Sequence, residues 1–383
     1  MLTEKELEKA IEKMISRLDE VNVLFISKVA AQVKKIGELN QTSINRLILM
    51  SEMGIDIRLI NERLVEATSL NITDLYTIYK TAMDDVYTDP RFKVMLDGNV
   101  DAPRIRERLT EYTRSVSEQT AGAMINLSNT TATSETYQQI VDKAVTAVSS
   151  GLTDYNSATR DAIRSLGYNG LQVYYESGYH RRLDTAVRQN IIDGANQIAQ
   201  NGAKLIGDAL EYDAFEISAH ANSAPDHEPV QGRVFLRAEF ERMQAGESFT
   251  DIDGRRYAGF RRPIAEWNCG HIATPFSTEH STRRYTDEQL QRWARENKEG
   301  FEYNGKHYTI YQASQIMRQL ETEVRRWKDT ANAARAVNDD TLRRQCQKRI
   351  NTLSSKYSQI ADLSGLPTKR QRMSVEGFRA VKI

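Results

Sequence analysis

Four side chains with metal-binding donor atoms lie close together in this sequence. His220 and His227 come first, and Cys269 and His271 follow. Imidazole nitrogen and thiolate sulfur are donors that Zn²⁺ prefers, and four of them complete a tetrahedral structural site. In a β-strand, Cys269 and His271 would point to the same face, as two ligands of one ion must. One interpretation of this set is therefore a structural zinc ion.

A second interpretation gives these residues only a packing role. The spacing of the two pairs, His-x6-His and Cys-x-His with 41 residues between them, is not that of a standard zinc finger. Trp267, Cys269 and Phe276 would then belong to a hydrophobic core, and the histidines would hold turns together through hydrogen bonds.

A third interpretation makes Cys269 a nucleophile. His227 or His271 would act as its base, and Asp226 would orient that base. No sequence pattern of a known cysteine hydrolase surrounds these residues, and the chain contains no phosphate-binding glycine loop and no GxSxG motif. An enzyme is therefore the alternative, and not the favoured class.

The stretch that carries these residues is typical of short β-strands. Apolar and polar side chains alternate over residues 215–219, as in a half-buried strand. Turn-rich pieces with β-forming residues follow at 232–236, 246–260 and 271–276, the second with an Asp253-Gly254 turn. We expect a compact α+β core at residues 211–280.

Upstream of this core the sequence is helical. A first amphipathic helix is indicated by apolar residues at helical spacing: Leu7, Ile11, Met14, Leu18, Val21 and Phe25, then Val29, Val33, Ile36 and Leu39. Further helices are expected near 43–53, 56–70, 73–87, 104–126, 134–149, 153–166 and 177–210. The tyrosines Tyr168, Tyr174, Tyr175 and Tyr179 are expected to pack between helices and not to stack on bases.

The C-terminal part combines a β-hairpin with a pair of helices. Asn304-Gly305 supplies the two residues that a type I′ turn requires, and an antiparallel helical hairpin follows. Residues 301–383 hold 16 Lys and Arg against 8 Asp and Glu. This excess predicts a basic tail that binds DNA or a partner, and the alternative is a tail that is merely solvated. The cations of the tail are Lys369, Arg370, Arg372, Arg379 and Lys382.

Composition limits the function classes. The 383 residues include 52 Lys and Arg and 52 Asp and Glu, so the whole chain is not a polyanion binder. Two cysteines make no disulfide framework. The first residues lack the pattern of a signal peptide, and no apolar run is long enough to span a membrane.

These patterns predict a mainly α protein with a small α+β module. We expect three segments: a helical docking region, bundle or arm at 1–150, an α+β module at 151–300, and a hairpin, helical hairpin and basic tail at 301–383.

The motifs of the central module resemble those of a known family. They are Ser218-Ala-His220, Pro225-Asp-His227, Gln231-Gly-Arg-Val-Phe235, Trp267-Asn-Cys-Gly-His271 and Pro275-Phe276. They are similar to the phage minor capsid protein 2 group, together with Tyr175 to Asp184, Ala186 and Arg188 upstream and with Leu363 to Pro367 and Arg372 to Phe378 downstream. That group is related to the head-morphogenesis proteins typified by the F protein of phage Mu.

The resemblance implies a virion component and not an enzyme. It implies a minor head protein of a tailed phage that is assembled in the host cytoplasm and sits at the portal vertex, in an oligomeric arrangement. The implied partners are the portal protein, a major capsid or scaffold protein, and packaged DNA through the basic tail. Broader members often carry Cys-x-x-Cys followed by a His and Cys pair, and in this chain Pro225-Asp-His227 and Cys269-Gly-His271 occupy those places.

Two functions follow as expectations. The favoured one is head assembly with DNA packaging or delivery, and the alternative is a cysteine- or zinc-dependent hydrolase that acts during infection. The predicted ligands of a zinc ion are His220, His227, Cys269 and His271.

Overall fold

The computed structural model of the protein describes residues 4–38, 43–88, 102–131, 133–149, 155–259, 262–264 and 269–382. The chain forms two compact units. Unit 1 comprises Met1–Ala10, Thr73–Gly122 and Gln189–Ser314, and unit 2 comprises Ile11–Ile72, Ala123–Arg188 and Gln315–Ile383. Each unit is assembled from three stretches of chain, and the division at residues 150 and 300 stays a prediction.

The protein is mainly helical, as the sequence predicts. The described residues form helices α1 Glu4–Glu38, α2 Ser43–Thr88, α3 Ala102–Asn129, α4 Thr133–Ser149, α5 Tyr155–Asn169, α6 Leu183–Ala209, α7 Arg237–Gln244, α8 Asp287–Glu299, α9 Ile310–Ala336 and α10 Asp340–Ser364. A single 3₁₀ turn, Arg370–Met373, follows α10.

Within the part of the chain that the structure describes, nine short strands pair in antiparallel fashion. They are β1 Gln172–Tyr174, β2 His180–Arg182, β3 Ala214–Ile217, β4 Val234–Leu236, β5 Phe249–Thr250, β6 Arg256–Tyr257, β7 Ala273–Phe276, β8 Phe301–Tyr303 and β9 Lys306–Tyr308. The three-stranded sheet has the order β4-β3-β7, and the other six strands form three two-stranded hairpins.

The sheet of unit 1 forms the expected α+β core. In the register, Phe215 of β3 lies opposite Phe235 of β4 and Pro275 of β7. The predicted alternation of β3 is wrong, because Glu216 is buried like its neighbours. The strand is central, and the Glu216 carboxylate accepts a hydrogen bond from the backbone N–H of Arg284 at 2.7 Å, which satisfies the buried charge.

The first helix of unit 2 confirms the amphipathic pattern. The stripe residues Ile11, Met14, Leu18, Val21 and Phe25 are all buried. Val29 and Val33 continue the buried face, whereas the side chain of Ile36, residue Leu39 and the expected break at 40–42 lie outside the described residues.

The helices expected at 43–53, 56–70 and 73–87 are one continuous helix, α2. Asn71 looks like a capping residue in the sequence, but it lies inside α2 and its side-chain amide donates to the carbonyl of Met14 at 3.1 Å. The Asn71 side chain therefore bonds to a buried carbonyl of another helix and does not cap a helix terminus.

The helix expected from residue 177 begins later, at Leu183. Residues before it form the β1–β2 hairpin, in which Gly178 has a φ of +79°. That left-handed conformation is accessible to glycine without steric penalty, and it allows the chain to turn between β1 and β2. The expected packing role of the tyrosines is wrong, because Tyr174, Tyr175 and Tyr179 are exposed on this hairpin, as is Tyr168 on α5.

The turns that the sequence marks most clearly are confirmed. Asn304 and Gly305 have φ values of 50° and 72°, as a type I′ turn between β8 and β9 requires. The Asp339 side chain caps α10 by accepting from the backbone N–H of Leu342 at 2.9 Å.

Gly167 marks a close contact between α5 and α9 in unit 2. A Cβ atom there would overlap the backbone of Thr330. Although Gly→Ala inside a helix normally stabilises the helix by about 1 kcal/mol, we expect Gly167→Ala to lower the free energy of unfolding by about 1–3 kcal/mol, because a backbone cannot move aside as a side chain can. Chemical denaturation measures the change.

Gly54→Ala is the matched control, because Gly54 lies in α2 with no atom near its Cβ position. This substitution is expected to be neutral or to stabilise the protein by up to about 1 kcal/mol. Equal effects of the two substitutions would contradict the close contact at Gly167.

Candidate metal centre

Three of the four predicted ligands, His220, Cys269 and His271, lie at the end of the β3–β7 pair. His220 lies just after β3, and Cys269 and His271 lie just before β7. Since the two strands are antiparallel neighbours, the end of one lies beside the start of the other. Hydrogen bonds of 2.8 Å between Ser218 and Ile272 extend this pairing beyond the strands.

The fourth residue, His227, reaches the same place through a compact loop. The loop returns to β3 through a bond of 2.8 Å from the Gly232 N–H to the Ile217 carbonyl. Within it the His227 N–H donates to the Ala224 carbonyl at 3.0 Å.

His227, Cys269 and His271 form a buried cluster of three potential ligands. The sulfur of Cys269 lies 3.4 Å from Nδ1 of His227 and 3.6 Å from Nδ1 of His271. The three donor atoms all lie within 4.8 Å of one another. Cys269 and His271 precede β7 and are not part of it, so the same-strand argument is wrong, although the two side chains do meet.

Each histidine uses its second nitrogen for another contact. Nε2 of His227 lies 2.8 Å from the carbonyl oxygen of Arg262, to which it can donate. Nε2 of His271 lies 3.2 Å from the hydroxyl of Ser223. Such contacts fix the ring orientation and leave Nδ1 of both rings directed at the cysteine sulfur.

His220 lies beside this cluster. Its ring packs against that of His271 with centroids 4.4 Å apart, and its backbone N–H donates to the side chain of Gln231 at 3.0 Å. The structure therefore brings together three of the four predicted ligands and places the fourth next to them.

Burial keeps the histidines neutral. Desolvation, followed by the neighbouring His220 and His227, lowers the pKa of His271 to about 3. Desolvation also lowers the pKa of His220 and that of His227. Neutral imidazole is the form that ligates a metal, so the rings need lose no proton to bind one at neutral pH.

The donor set fits zinc. Bonds of about 2.0–2.3 Å in a tetrahedral site place neighbouring ligand atoms roughly 3.3–3.8 Å apart. Both measured distances from the Cys269 sulfur fall in this range. Two imidazole nitrogens and one thiolate would leave one coordination position for His220 or for water.

The geometry does not assemble the arrangement in which Asp226 orients His227 as the base for Cys269. Asp226 would have to orient His227, yet its carboxylate is 3.8 Å from Nε2 and is held by Arg262 at 2.8 Å. The Arg262 carbonyl takes the orienting position instead. Cys269 itself is 3% exposed and packs in the core cluster with Phe215, as the packing interpretation expects; Trp267 lies outside the described residues.

The predicted basic tail is folded onto the helical hairpin of unit 2. Lys328, Asn332 and Arg335 of α9 donate to the carbonyls of Met373, Glu376 and Gly377 at 2.7, 2.9 and 2.8 Å. We call residues 365–382 the C-terminal segment.

The five predicted cations of this segment differ in their surroundings. The backbone N–H of Lys369 donates to the Tyr357 hydroxyl at 2.7 Å. Arg370 reaches the Ser358 hydroxyl at 3.2 Å, and Arg372 lies 3.9 Å from the Glu321 carboxylate. Arg379 and Lys382 are exposed.

A buried ion cluster in unit 2 escapes sequence reasoning. Arg182 and Asp184, which fall within the helix expected at 177–210, are buried together with Asp329, Arg325 and Asp19. Desolvation raises the pKa of Asp19 to about 6. The only sequence sign of this cluster is that Arg182 and Asp184 lie within the stretch that carries the family resemblance.

Among the described residues, no helix combines the length and hydrophobicity that crossing a lipid bilayer requires.

Comparison with known families gives the class of this protein, a structural phage protein. The sequence matches the family described as Phage minor capsid protein 2 over residues 2–361. The chain therefore belongs to the phage minor capsid protein 2 family, as its motifs predict. No curated protein and no solved structure matches it significantly.

Proposed function

We propose that this minor capsid protein is a head component at the portal vertex, where it acts in head assembly and in DNA packaging or delivery. The observation that carries the proposal is the family match across residues 2–361. The implied partners are the portal protein and a major capsid or scaffold protein.

The β1–β2 hairpin supplies a surface suited to a protein partner. Tyr174, Tyr175 and Tyr179 are 45%, 38% and 55% exposed. The rings of Tyr175 and Tyr179 stack with centroids 5.9 Å apart, and the Arg181 guanidinium lies over Tyr179 at 5.5 Å. Tyrosine and arginine are enriched among the residues that dominate interface energies, so this hairpin is our choice for the contact with the portal.

The metal centre supports this structural role. We infer that His227, Cys269 and His271 hold a zinc ion with His220 or water, and that the ion ties the loop carrying His227 to the end of the sheet. Such an ion stabilises the fold and takes no part in a reaction.

Co-sedimentation tests the portal proposal. The tagged chain is co-expressed with the portal, major capsid and scaffold proteins and separated on a density gradient. We expect it to travel with portal assemblies. A Tyr175→Ser/Tyr179→Ser variant should bind them at least about thirtyfold more weakly, because ring contacts at an interface centre contribute about 2 kcal/mol or more.

The control is Tyr76→Ser, because Tyr76 is 42% exposed on α2, away in sequence from the hairpin. It is expected to sediment as the unaltered protein does. If the unaltered chain stays at the top of the gradient with every partner, the portal proposal is wrong. If the unaltered chain and the hairpin variant both travel with portal assemblies, the docking surface is elsewhere.

A further inference from the structure

Helix α10 has a one-sided charge pattern. Five cations and no carboxylate occur between residues 341 and 361: Arg343, Arg344, Lys348, Arg349 and Lys356. Over residues 341–382 there are ten Lys and Arg against Asp362 and Glu376 alone. The positive charge predicted for the tail therefore begins within the helix.

Most of the α10 cations are directed at solvent. The buried face of the helix contains Leu342, Cys346, Ile350, Leu353 and Tyr357. Arg344, Lys348, Arg349 and Lys356 are exposed. Arg343 pairs with Asp340 at 2.8 Å, whereas no carboxylate of the described residues forms an ion pair with Arg344, Lys348 or Arg349.

The C-terminal segment adds cations beside this face. The Val381 N–H donates to the side chain of Gln347 at 3.1 Å, and Arg370 contacts Ser358 at 3.2 Å. Both acceptors lie on α10, so the segment runs along the helix and places exposed Arg370, Arg379 and Lys382 next to the helix cations. Because the segment is folded, the backbone that carries these cations keeps a fixed course along α10.

We propose that this basic face, formed by Arg344, Lys348, Arg349 and Lys356 with Arg370, Arg379 and Lys382, binds the phosphate backbone of double-stranded DNA. The proposal rests on the proposed role in DNA packaging or delivery, but it concerns a surface other than the tyrosine hairpin. Its location differs from the sequence prediction, because a helix supplies the main contacts and the C-terminal segment flanks them.

The composition of the face favours DNA over an acidic protein. Neutral polar residues fill the positions between the cations, among them Gln345, Thr352 and Ser355, and these can bond to phosphate oxygens. Leu363, 50% exposed, is the one large hydrophobic side chain exposed on this fully described helix. It lies at the C-terminal end, beyond the last helix cation Lys356, so no apolar anchor of a protein interface lies among the cations. Arg344 and Lys356 are about 18 Å apart along the axis, enough to follow several phosphates of a duplex.

The test measures binding of the full-length protein to a labelled random-sequence duplex by fluorescence anisotropy from 50 to 200 mM salt. We expect the variant Arg344→Gln/Lys348→Gln/Arg349→Gln to bind at least about tenfold more weakly at 100 mM salt. Its slope of log K against log salt should fall by roughly 2–3, since each lost phosphate contact removes about 0.9. Arg379→Gln/Lys382→Gln should show a smaller loss of the same kind.

Helix α8 offers a control with the same charge change. Arg292→Gln/Arg295→Gln/Lys298→Gln also removes two arginines and one lysine from exposed positions, but Arg292 and Arg295 lie near Glu296 and Glu299 at 3.9 and 3.8 Å. It should bind DNA within about twofold of the unaltered protein. Thermal melts of both variants should match the unaltered protein, because all six residues are on the surface.

Three outcomes overturn the proposal: no DNA binding at 50 mM salt, equal losses in both triple variants, or normal DNA binding by the α10 variant. If the α10 variant keeps DNA but no longer sediments with portal or capsid protein, the face is a protein interface and the DNA assignment is wrong. A failure of the portal proposal can be told apart from a failure of the DNA proposal. In that case the unaltered chain would bind DNA through α10 but would not sediment with the portal protein.

Discussion

Replacing Arg182 by methionine is expected to lower the free energy of unfolding by about 3–5 kcal/mol. Its guanidinium lies 2.7 Å from the Asp329 carboxylate and 3.4 Å from that of Asp184. The three side chains are 5%, 1% and 5% exposed, so water cannot replace a lost partner. The substitution would leave two buried carboxylates short of a cation, which is the most damaging way to break a buried ion pair.

The rest of the cluster strengthens this expectation. Arg325 pairs with Asp184 and lies 3.4 Å from Asp19, so two arginines serve three aspartates. Two cations against three carboxylates leave a shortage of positive charge. Desolvation raises the pKa of Asp19 to about 6, and Arg325 and Arg182 oppose that rise. Removing Arg182 deepens that shortage.

A double-mutant cycle measures this interaction. Arg182→Met/Asp329→Leu should be less destabilising than the sum of the two single substitutions, because the pair is removed together. The matched control is Arg343→Met, whose partner Asp340 is 71% exposed, and here we expect a loss below about 1 kcal/mol. Chemical denaturation followed by circular dichroism gives all four values. If Arg182→Met and Arg343→Met lowered the free energy of unfolding by similar amounts, the buried cluster would contribute no more than an exposed ion pair, and the prediction would be wrong.

Zinc is expected to stabilise the protein through Cys269. One equivalent should bind, and free zinc at 100 times its dissociation constant should add about 2.7 kcal/mol to the free energy of unfolding. For a unit of this size the melting temperature should rise by roughly 5–10 °C, and a chelator should reverse the rise. Elemental analysis and thermal melts measure the two effects.

The two cysteines provide an internal control. Cys269→Ala and Cys346→Ala each remove a buried sulfur, from side chains 3% and 0% exposed. Burial raises the pKa of Cys346 to about 12, so its thiol does not ionise for a metal near neutral pH. Zinc binding should vanish in Cys269→Ala and persist in Cys346→Ala.

His220→Ala distinguishes the fourth ligand. If His220 completes the site, this variant should retain zinc with lower affinity; if water does, the affinity should not change. Equal zinc content in Cys269→Ala and Cys346→Ala, or none in the unaltered protein refolded with zinc, would rule out the metal centre.

Local patterns in the sequence determined much of the fold. The spacing of Ile11, Met14, Leu18 and Val21 predicts the buried face of α1, because a helix repeats every 3.6 residues whatever surrounds it. Asn304-Gly305 predicts its own turn, because positive φ angles depend on residue type. The choice of His220, His227, Cys269 and His271 as candidate ligands needed only their chemistry and order, and the zinc ion itself stays a prediction.

Tertiary structure alone decided where distant or ambiguous residues lie. Asn71 could cap a helix by its type, yet a buried carbonyl of Met14 keeps it inside α2. The sequence did not indicate that Arg182 is buried, because its partner Asp329 lies 147 residues away and a charged residue on its own is expected to face water. His227 meets Cys269, 42 residues away, because a loop and an antiparallel strand pair end at the same point. Long-range packing, which single-sequence periodicity does not encode, sets these contacts and the course of the C-terminal segment along α10.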